Sequence, residues 1–226
     1  MNKNLSALKK KIITKFAMLP IFLGIFLFFP AGSFKFWEAW IYCAVLFLPM
    51  VFLVTYFLKK NPDLLERRSR WREKEKEQRV IIMLSSIIFL IGFIIPGLDY
   101  RFNWSEVPAY LVIMADTFVF LGYFIFFLVL KENSYASRII EIKKGQKVIS
   151  TGPYAVVRHP MYSGVMLMFL ATPIALGSFW ALIPFLSLPI LLVFRILNEE
   201  RVLLKEFAGY KEYYQKVRYR LIPFIY

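Results

Sequence analysis

Gly152-Pro153-Tyr154-Ala155-Val156-Val157-Arg158-His159-Pro160-Met161-Tyr162-Ser163-Gly164 opens two apolar runs, about Met161 to Leu176 and Phe179 to Leu197, which close on Asn198-Glu199-Glu200. This opening stretch contains the only histidine of the 226-residue chain. Pro153 and Pro160 stiffen a turn and a helix start. Gly152 and Gly164 permit close backbone approach. Gly177-Ser178 is a very short connection, so the two runs read as antiparallel neighbouring helices. The first is brief for a full membrane crossing. A helix out and a helix back return Glu199 and Glu200 to the end where Arg158 and His159 stand.

The rest of the chain reads as the apolar scaffold of that hairpin. Hydrophobic residues make up 59% of the sequence, aromatic residues 19%, and mean hydropathy is +0.57. A soluble domain has a lower apolar share. Four further runs, about Phe16 to Ala31, Phe36 to Leu58, Val80 to Leu98 and Pro108 to Leu130, approach or exceed the length of a membrane span. The expected fold is an all-α integral membrane protein with about six transmembrane helices. Trp37 and Trp40 suit the membrane interface. Ala31-Gly32-Ser33 resembles a cleavage site, so a signal peptide is the rival reading of the first run; its length and aromatic content favour a retained helix. Asp116 lies within the fourth run, at a depth where an acid is costly, and either lines a substrate path or bonds a neighbouring helix.

Charge sets the expected sidedness. Lys and Arg number five in residues 1–15, nine in 59–79, six in 131–159 and seven from Arg195 onward, against Lys35 and Arg101 in the opposite loops. That asymmetry places both termini and the segment around His159 in the cytoplasm. Residues 1–130 read as a four-helix membrane scaffold with a charged cytoplasmic loop at 59–79, which forms either a short surface helix or a solvated loop. Residues 131–226 read as a polar loop, the hairpin and a charged tail. Alternation around Ile140 and Ile142 allows a short extended piece, and Lys144-Gly145 reads as a turn.

Several classes of function are unsupported. The net charge of +14 would suggest nucleic acid on a soluble protein. Here it fits topology and anionic lipid head groups. Cys43 stands alone in an apolar run, so it forms no internal disulfide. No metal-ligand spacing is present. No dinucleotide fingerprint, P-loop or nucleophile elbow occurs.

Chemistry concentrates where the hairpin ends meet. Glu199 and Glu200 are adjacent, so on a helix they point about 100° apart. One can receive a cation or hydroxyl groups while the other pairs with Arg201 or Arg158. Tyr154 and Tyr162 carry flat apolar faces with polar tips, suited to an adenine or a lipid chain. Read separately, Arg158-His159-Pro160 could be an interface anchor and Glu199-Glu200 a charge balance. Their pairing across one hairpin favours a site.

Gly152-Pro153-Tyr154, Arg158-His159-Pro160-Met161-Tyr162 and Gly164, followed by Glu199-Glu200, Leu203, Phe207, Tyr210, Tyr213, Val217, Arg220 and Pro223, resemble the isoprenylcysteine carboxyl methyltransferase family. That family lies within a wider group of membrane methyltransferases that includes phospholipid N-methyltransferases. Asn133 and Gly145-Gln146-Lys147-Val148 share the resemblance, which is strong over about residues 130–226. Asn61-Pro62-Asp63-Leu64-Leu65-Glu66-Arg67 resembles bacterial members. The resemblance implies S-adenosylmethionine as methyl donor in a non-Rossmann pocket formed by hairpin and tail. Gln146, Lys147, Val148, Tyr154, His159, Pro160 and Tyr162 would enclose it, and Glu199 or Glu200 would receive its ammonium or ribose. Arg158, Glu200, Arg218 and Arg220 are the catalytic candidates, the arginines as holders of an anionic substrate. The implied reaction is carboxyl O-methylation of a prenylcysteine-like or other lipophilic substrate entering from the bilayer. Phospholipid amine N-methylation, with Asp116 or a glutamate as base, and small-thiol S-methylation stay open. A non-catalytic transporter or assembly factor is the alternative from another class. The expected partners are the lipophilic substrate and membrane lipids, with neither nucleic acid nor metal. The expected location is a membrane, the cytoplasmic one in a prokaryote.

Overall fold

The computed structural model describes residues 2–69, 76–137 and 145–226. Every regular element among them is helical: α1 (Asn2–Ala31), α2 (Trp37–Lys60), α3 (Pro62–Arg68), α4 (Lys76–Phe102), α5 (Ala109–Glu132), a 3₁₀ turn (Gly152–Ala155), α6 (Pro160–Ala175), α7 (Leu182–Phe185), α8 (Leu188–Glu206) and α9 (Tyr210–Lys216). The all-α membrane fold expected from hydropathy is the fold observed.

Five of the described segments are long and apolar enough to cross a membrane: Ile12–Ala31, Trp37–Lys60, Glu77–Phe102, Ala109–Glu132 and Leu182–Glu206. The sixth expected span is α6, with 16 residues. At a rise of 1.5 Å per residue it is about 24 Å long, short of the ~30 Å hydrocarbon core. Large apolar side chains such as Phe22, Phe29, Phe52, Ile190 and Phe194 point outward from the bundle. A bilayer is the solvent that suits such a surface.

Local sequence explains several element ends. Asn61 accepts a hydrogen bond from the Leu64 amide at 3.2 Å, and Pro62 follows as the first residue of α3. That cap starts a short helix inside the charged segment. Leu64 and Leu65 hold it down, buried with Leu53, Phe57 and Leu130. The start of residues 59–79 is thus a docked helix, and residues 70–75 lie outside the described part. The extended piece expected around Ile140 and Ile142 also lies outside it. Gly145, in the expected turn, takes φ +78°.

The hairpin differs from its expected form in two respects. Its outer connection is longer, spanning Leu176 to Ala181 before α7 and α8. At this end Asp99 of α4 accepts hydrogen bonds from the Ser105 amide and hydroxyl, both at 2.7 Å, and from the Ser178 hydroxyl, so the two outer loops share one anchor. Secondly, α6 packs along α5 rather than along α8. A Cβ on Gly164 would come within 2.8 Å of the Gly122 carbonyl, and one on Gly122 within 2.7 Å of the Gly164 carbonyl. Small residues facing each other let the two backbones approach this closely. The close α5–α6 contact leaves α6 and α8 apart along much of their length, with a groove between them and α4.

On the far side of the bundle α1 packs on α4, where a Cβ on Gly97 would fall within 2.5 Å of the Leu27 carbonyl. Leu27 and Ala31 of α1 are buried with Phe36 and Ala39.

Candidate functional site

The chain enters the site at Thr151, whose hydroxyl donates to the Glu132 carboxylate. Gly152 then takes φ +56°, where a side chain would be strained and would also crowd Glu132. The 3₁₀ turn leads to Arg158 and His159, which lie alongside the tail. The Arg158 amide donates to the Tyr219 carbonyl at 2.8 Å and the His159 amide to the Arg220 carbonyl at 2.9 Å. Pro160 begins α6, as its fixed φ and missing N–H favour.

Beneath this crossing lies a buried charged cluster. Glu200 accepts from Arg158 Nε at 2.7 Å and from Arg220 Nε at 2.9 Å, and its Oε1 is 3.2 Å from His159 Nε2. Arg158 also donates through Nη1 to the Val217 carbonyl at 2.7 Å and the Arg218 carbonyl at 2.8 Å, and its guanidinium lies over the Tyr214 ring. Relative exposure is 5% for Arg158 and 3% for Glu200. The pair therefore clamps the tail to α6 and α8.

Glu199 faces the other way. α8 continues well past Leu197, so Glu199 and Glu200 lie inside a rigid helix rather than at its exit. Glu200 follows the buried stripe of Leu192 and Ile196, spaced by four. Glu199 follows Arg195 by four and shares its face. Tyr162 of α6 bridges these two, donating to Glu199 Oε2 at 2.7 Å and accepting from Arg195 Nε at 2.9 Å.

A cavity of about 140 Å³, open to solvent, lies above this face, between the loop, α6, α8 and α9. Gln146, Lys147, Val148, Tyr154, His159, Pro160, Tyr162 and Glu199 all line it, and so does Arg158. Glu200, Arg218 and Arg220 are not among its lining residues. Arg218 is exposed and contributes its carbonyl to the Arg158 clamp.

The lining also includes residues that motif reading did not assign to the site: Tyr135, Met161, Leu203, Phe207, Tyr210 and Tyr213. A signal for four of them existed in the spacing of Leu203, Phe207, Tyr210 and Tyr213. The chain interrupts that helical face at Gly209, at φ +81°, yet returns α9 to the same cavity. Tyr154 accepts from Asn133 Nδ2 at 3.0 Å, and Tyr213 donates to the Tyr154 carbonyl at 2.8 Å. Burial pushes the Tyr154 phenol up to about 12 and raises Tyr210 and Tyr213 as well, so all three stay protonated near neutral pH. The buried Tyr210 hydroxyl has no hydrogen-bond partner among the described residues.

The groove of about 270 Å³ between α4, α6 and α8 meets this cavity: Ser137, Met161 and Tyr162 line both. The groove is otherwise mainly apolar, with Ile81, Ile82, Phe89, Val165, Phe169 and Leu191 among its walls. Asp116 lines neither space; it is buried in α5, and both its carboxylate oxygens lack a hydrogen-bond partner among the described residues.

Membrane-length helices thus surround a polar, aromatic cavity with an adjoining, mainly apolar groove. Residues 110–209 match the model of the phospholipid methyltransferase family, PEMT. The match runs from α5 to the residue before α9 and takes in most of the elements around the cavity. Phospholipid methyltransferases belong to the membrane methyltransferase superfamily that also includes the isoprenylcysteine carboxyl methyltransferases, so the resemblance read from the sequence holds at that level. Over these residues the chain is thus similar to a family of membrane methyltransferases.

Proposed function

We propose that this protein transfers a methyl group from S-adenosylmethionine to a lipophilic acceptor that reaches the site through the groove between α4, α6 and α8. The observation that carries this reading is the shared wall. Met161 and Tyr162 border the polar cavity on one side and the apolar groove on the other.

The cavity residues suit the methyl donor. Glu199 is the sole acidic side chain among the described lining residues, and it is placed for an ammonium or a ribose. The rings of Tyr154, Phe207, Tyr210 and Tyr213 offer flat faces for an adenine. The unpartnered Tyr210 hydroxyl is available to a ligand. When bound, S-adenosylmethionine supplies an electrophilic methyl carbon whose bond to sulfur breaks as the bond to the acceptor forms. The protein's part is to align the two molecules and exclude water between them. The Arg195–Tyr162–Glu199 chain of hydrogen bonds holds the shared wall in place.

Carboxyl O-methylation of a prenylcysteine-like acceptor needs no base, since a carboxylate is already a nucleophile at neutral pH. The family match favours a second reading, N-methylation of a phospholipid amine. That reaction requires removal of a proton from an ammonium, and Glu199 is the carboxylate in reach of the cavity. The charge asymmetry supports a cytoplasmic placement of both termini and the cavity. Reporter fusions at either end test it, and an exported terminus would contradict it.

Transfer of labelled methyl to N-acetyl-S-farnesylcysteine, phosphatidylethanolamine and small thiols tests the reaction. Incorporation into one lipophilic acceptor is expected. Calorimetry that shows no binding of S-adenosylmethionine or its demethylated product would sink the enzyme reading and favour a transporter or assembly factor.

A further inference from the structure

We propose that the tail turn at Ile222–Ile225 inserts into the bilayer and anchors there the segment that completes the charged clamp. The tail is charged over most of its length, but this turn is apolar and faces outward. Phe224 is 86% exposed and Ile225 77%, with Ile222 exposed beside them. Phe224 takes φ +66°, a region that suits glycine or asparagine and is strained for a bulky residue. The turn is fixed from within. The Tyr226 carbonyl accepts from the amides of Arg220, Leu221 and Ile222 at 2.9, 2.8 and 3.0 Å. That closure turns Leu221 and Tyr226 toward the helices and leaves Phe224 and Ile225 on the outside.

The inner contacts of the turn set its depth. Leu221 is buried in one cluster with Leu192 and Ile196 of α8, and Met166 of α6 and Tyr226 pack against that cluster. The Ser163 hydroxyl of α6 donates to the Leu221 carbonyl at 2.5 Å. Leu192 and Ile196 belong to the membrane-length segment Leu182–Glu206. They precede Glu200 by two turns and one, about 12 and 6 Å along the helix. Exposed charges begin only after Glu200 on α8, with Arg201, Lys205 and Glu206. The turn therefore lies on the bilayer side of the clamp, where exposed apolar side chains meet lipid chains and not water. Three side chains fall well short of the roughly 800 Å² per partner of a specific protein interface, which disfavours a second copy as the occupant. The tail is then held twice, by the ion cluster at Arg220 and by lipid at Phe224. Beside these holds, the Tyr219 and Arg220 carbonyls receive the Arg158 and His159 amides, so the anchor also steadies the entrance of α6.

The test uses the full-length chain with Cys43→Ala, reconstituted in vesicles of phosphatidylcholine and phosphatidylglycerol. A nitroxide label is attached at Phe224→Cys or Ile225→Cys. Phe194→Cys, on the exposed face of α8, and Lys211→Cys, exposed on α9, serve as lipid and water references. The labels replacing Phe224 and Ile225 are expected to collide more often with oxygen than with a water-soluble nickel chelate, as the Phe194 label does, with the reverse order for the Lys211 label. In the same vesicles the double variant Phe224→Asp with Ile225→Asp should speed proteolysis of residues 207–226 about tenfold, as the released tail becomes more populated. A thermal melt verifies the fold of each variant. Where a label prevents folding, hydroxyl-radical labelling of the wild-type chain replaces it, and Phe224 should be oxidised no faster than Phe194. The water pattern at both turn positions, faster oxidation of Phe224, or shielding from both collision partners with the spin–spin broadening of a second copy overturns the insertion. An unchanged proteolysis rate in a folded double variant overturns the anchor.

Discussion

Arg158 and Glu200, 42 residues apart in sequence, form a buried ion pair 2.7 Å long that joins the start of α6 to the last turns of α8. The same carboxylate binds Arg220, and the same guanidinium binds two tail carbonyls. Removing either charge leaves its partner buried. Glu200→Gln is expected to cost about 3–5 kcal/mol, the usual penalty for half of a buried pair. A lower melting temperature in detergent and faster proteolysis of residues 207–226 would show it. An unchanged melting temperature would contradict the clamp.

Glu199 provides the contrasting case. It is half-buried, lines the cavity and accepts a single phenol hydrogen bond. Glu199→Gln should leave the melting temperature near wild type and weaken S-adenosylmethionine about tenfold, equivalent to about 1.4 kcal/mol. Calorimetry decides it, and unchanged affinity would remove Glu199 from the donor site.

Tyr210 makes a prediction in which stability and binding separate. Its hydroxyl is buried without a partner among the described residues, which is unfavourable in the free protein. Tyr210→Phe should therefore be neutral or stabilising for the free protein and should reduce S-adenosylmethionine affinity. A destabilised variant with normal affinity would show that the hydroxyl serves the fold and not the ligand.

The α5–α6 contact sets where the site residues sit, so Gly122 and Gly164 should be sensitive although neither lines the cavity. Gly164→Ala places a methyl group against the Gly122 carbonyl. The expected cost is about 1–3 kcal/mol, that of overpacking a tight contact. A melt that matches wild type would mean that α5 and α6 are less closely opposed.

Asp116 lies outside both the cavity and the groove, and its oxygens are unpartnered among the described residues. Asp116→Asn should preserve methyl transfer and should not lower the melting temperature, since it removes an unpaired acid from the bundle. A loss of activity on the order of a hundredfold, the scale of a general base, would place Asp116 on the proton path.

Much of the fold and part of the cavity were legible because the signals are local. A span is a property of about twenty consecutive residues. The cap at Asn61, the helix start at Pro160 and the turn at Gly145 each depend on a few neighbours. The fate of the adjacent glutamates was half legible. Leu192, Ile196 and Glu200 lie at helical spacing, and that stripe shows which acid turns inward, but only if the helix is known to continue past Leu197.

The sequence by itself determined a helical membrane fold and a resemblance to membrane methyltransferases, and it singled out His159 and the paired glutamates. Tertiary structure decided that Glu200 clamps the tail while Glu199 faces the cavity, and that α6 lies on α5. It also opened the groove beside α8. The physical reason is the range of the forces involved. Hydropathy and capping act within a segment. The rotation of each helix is set by side chains from other segments, and here two opposed glycines let α5 and α6 close together.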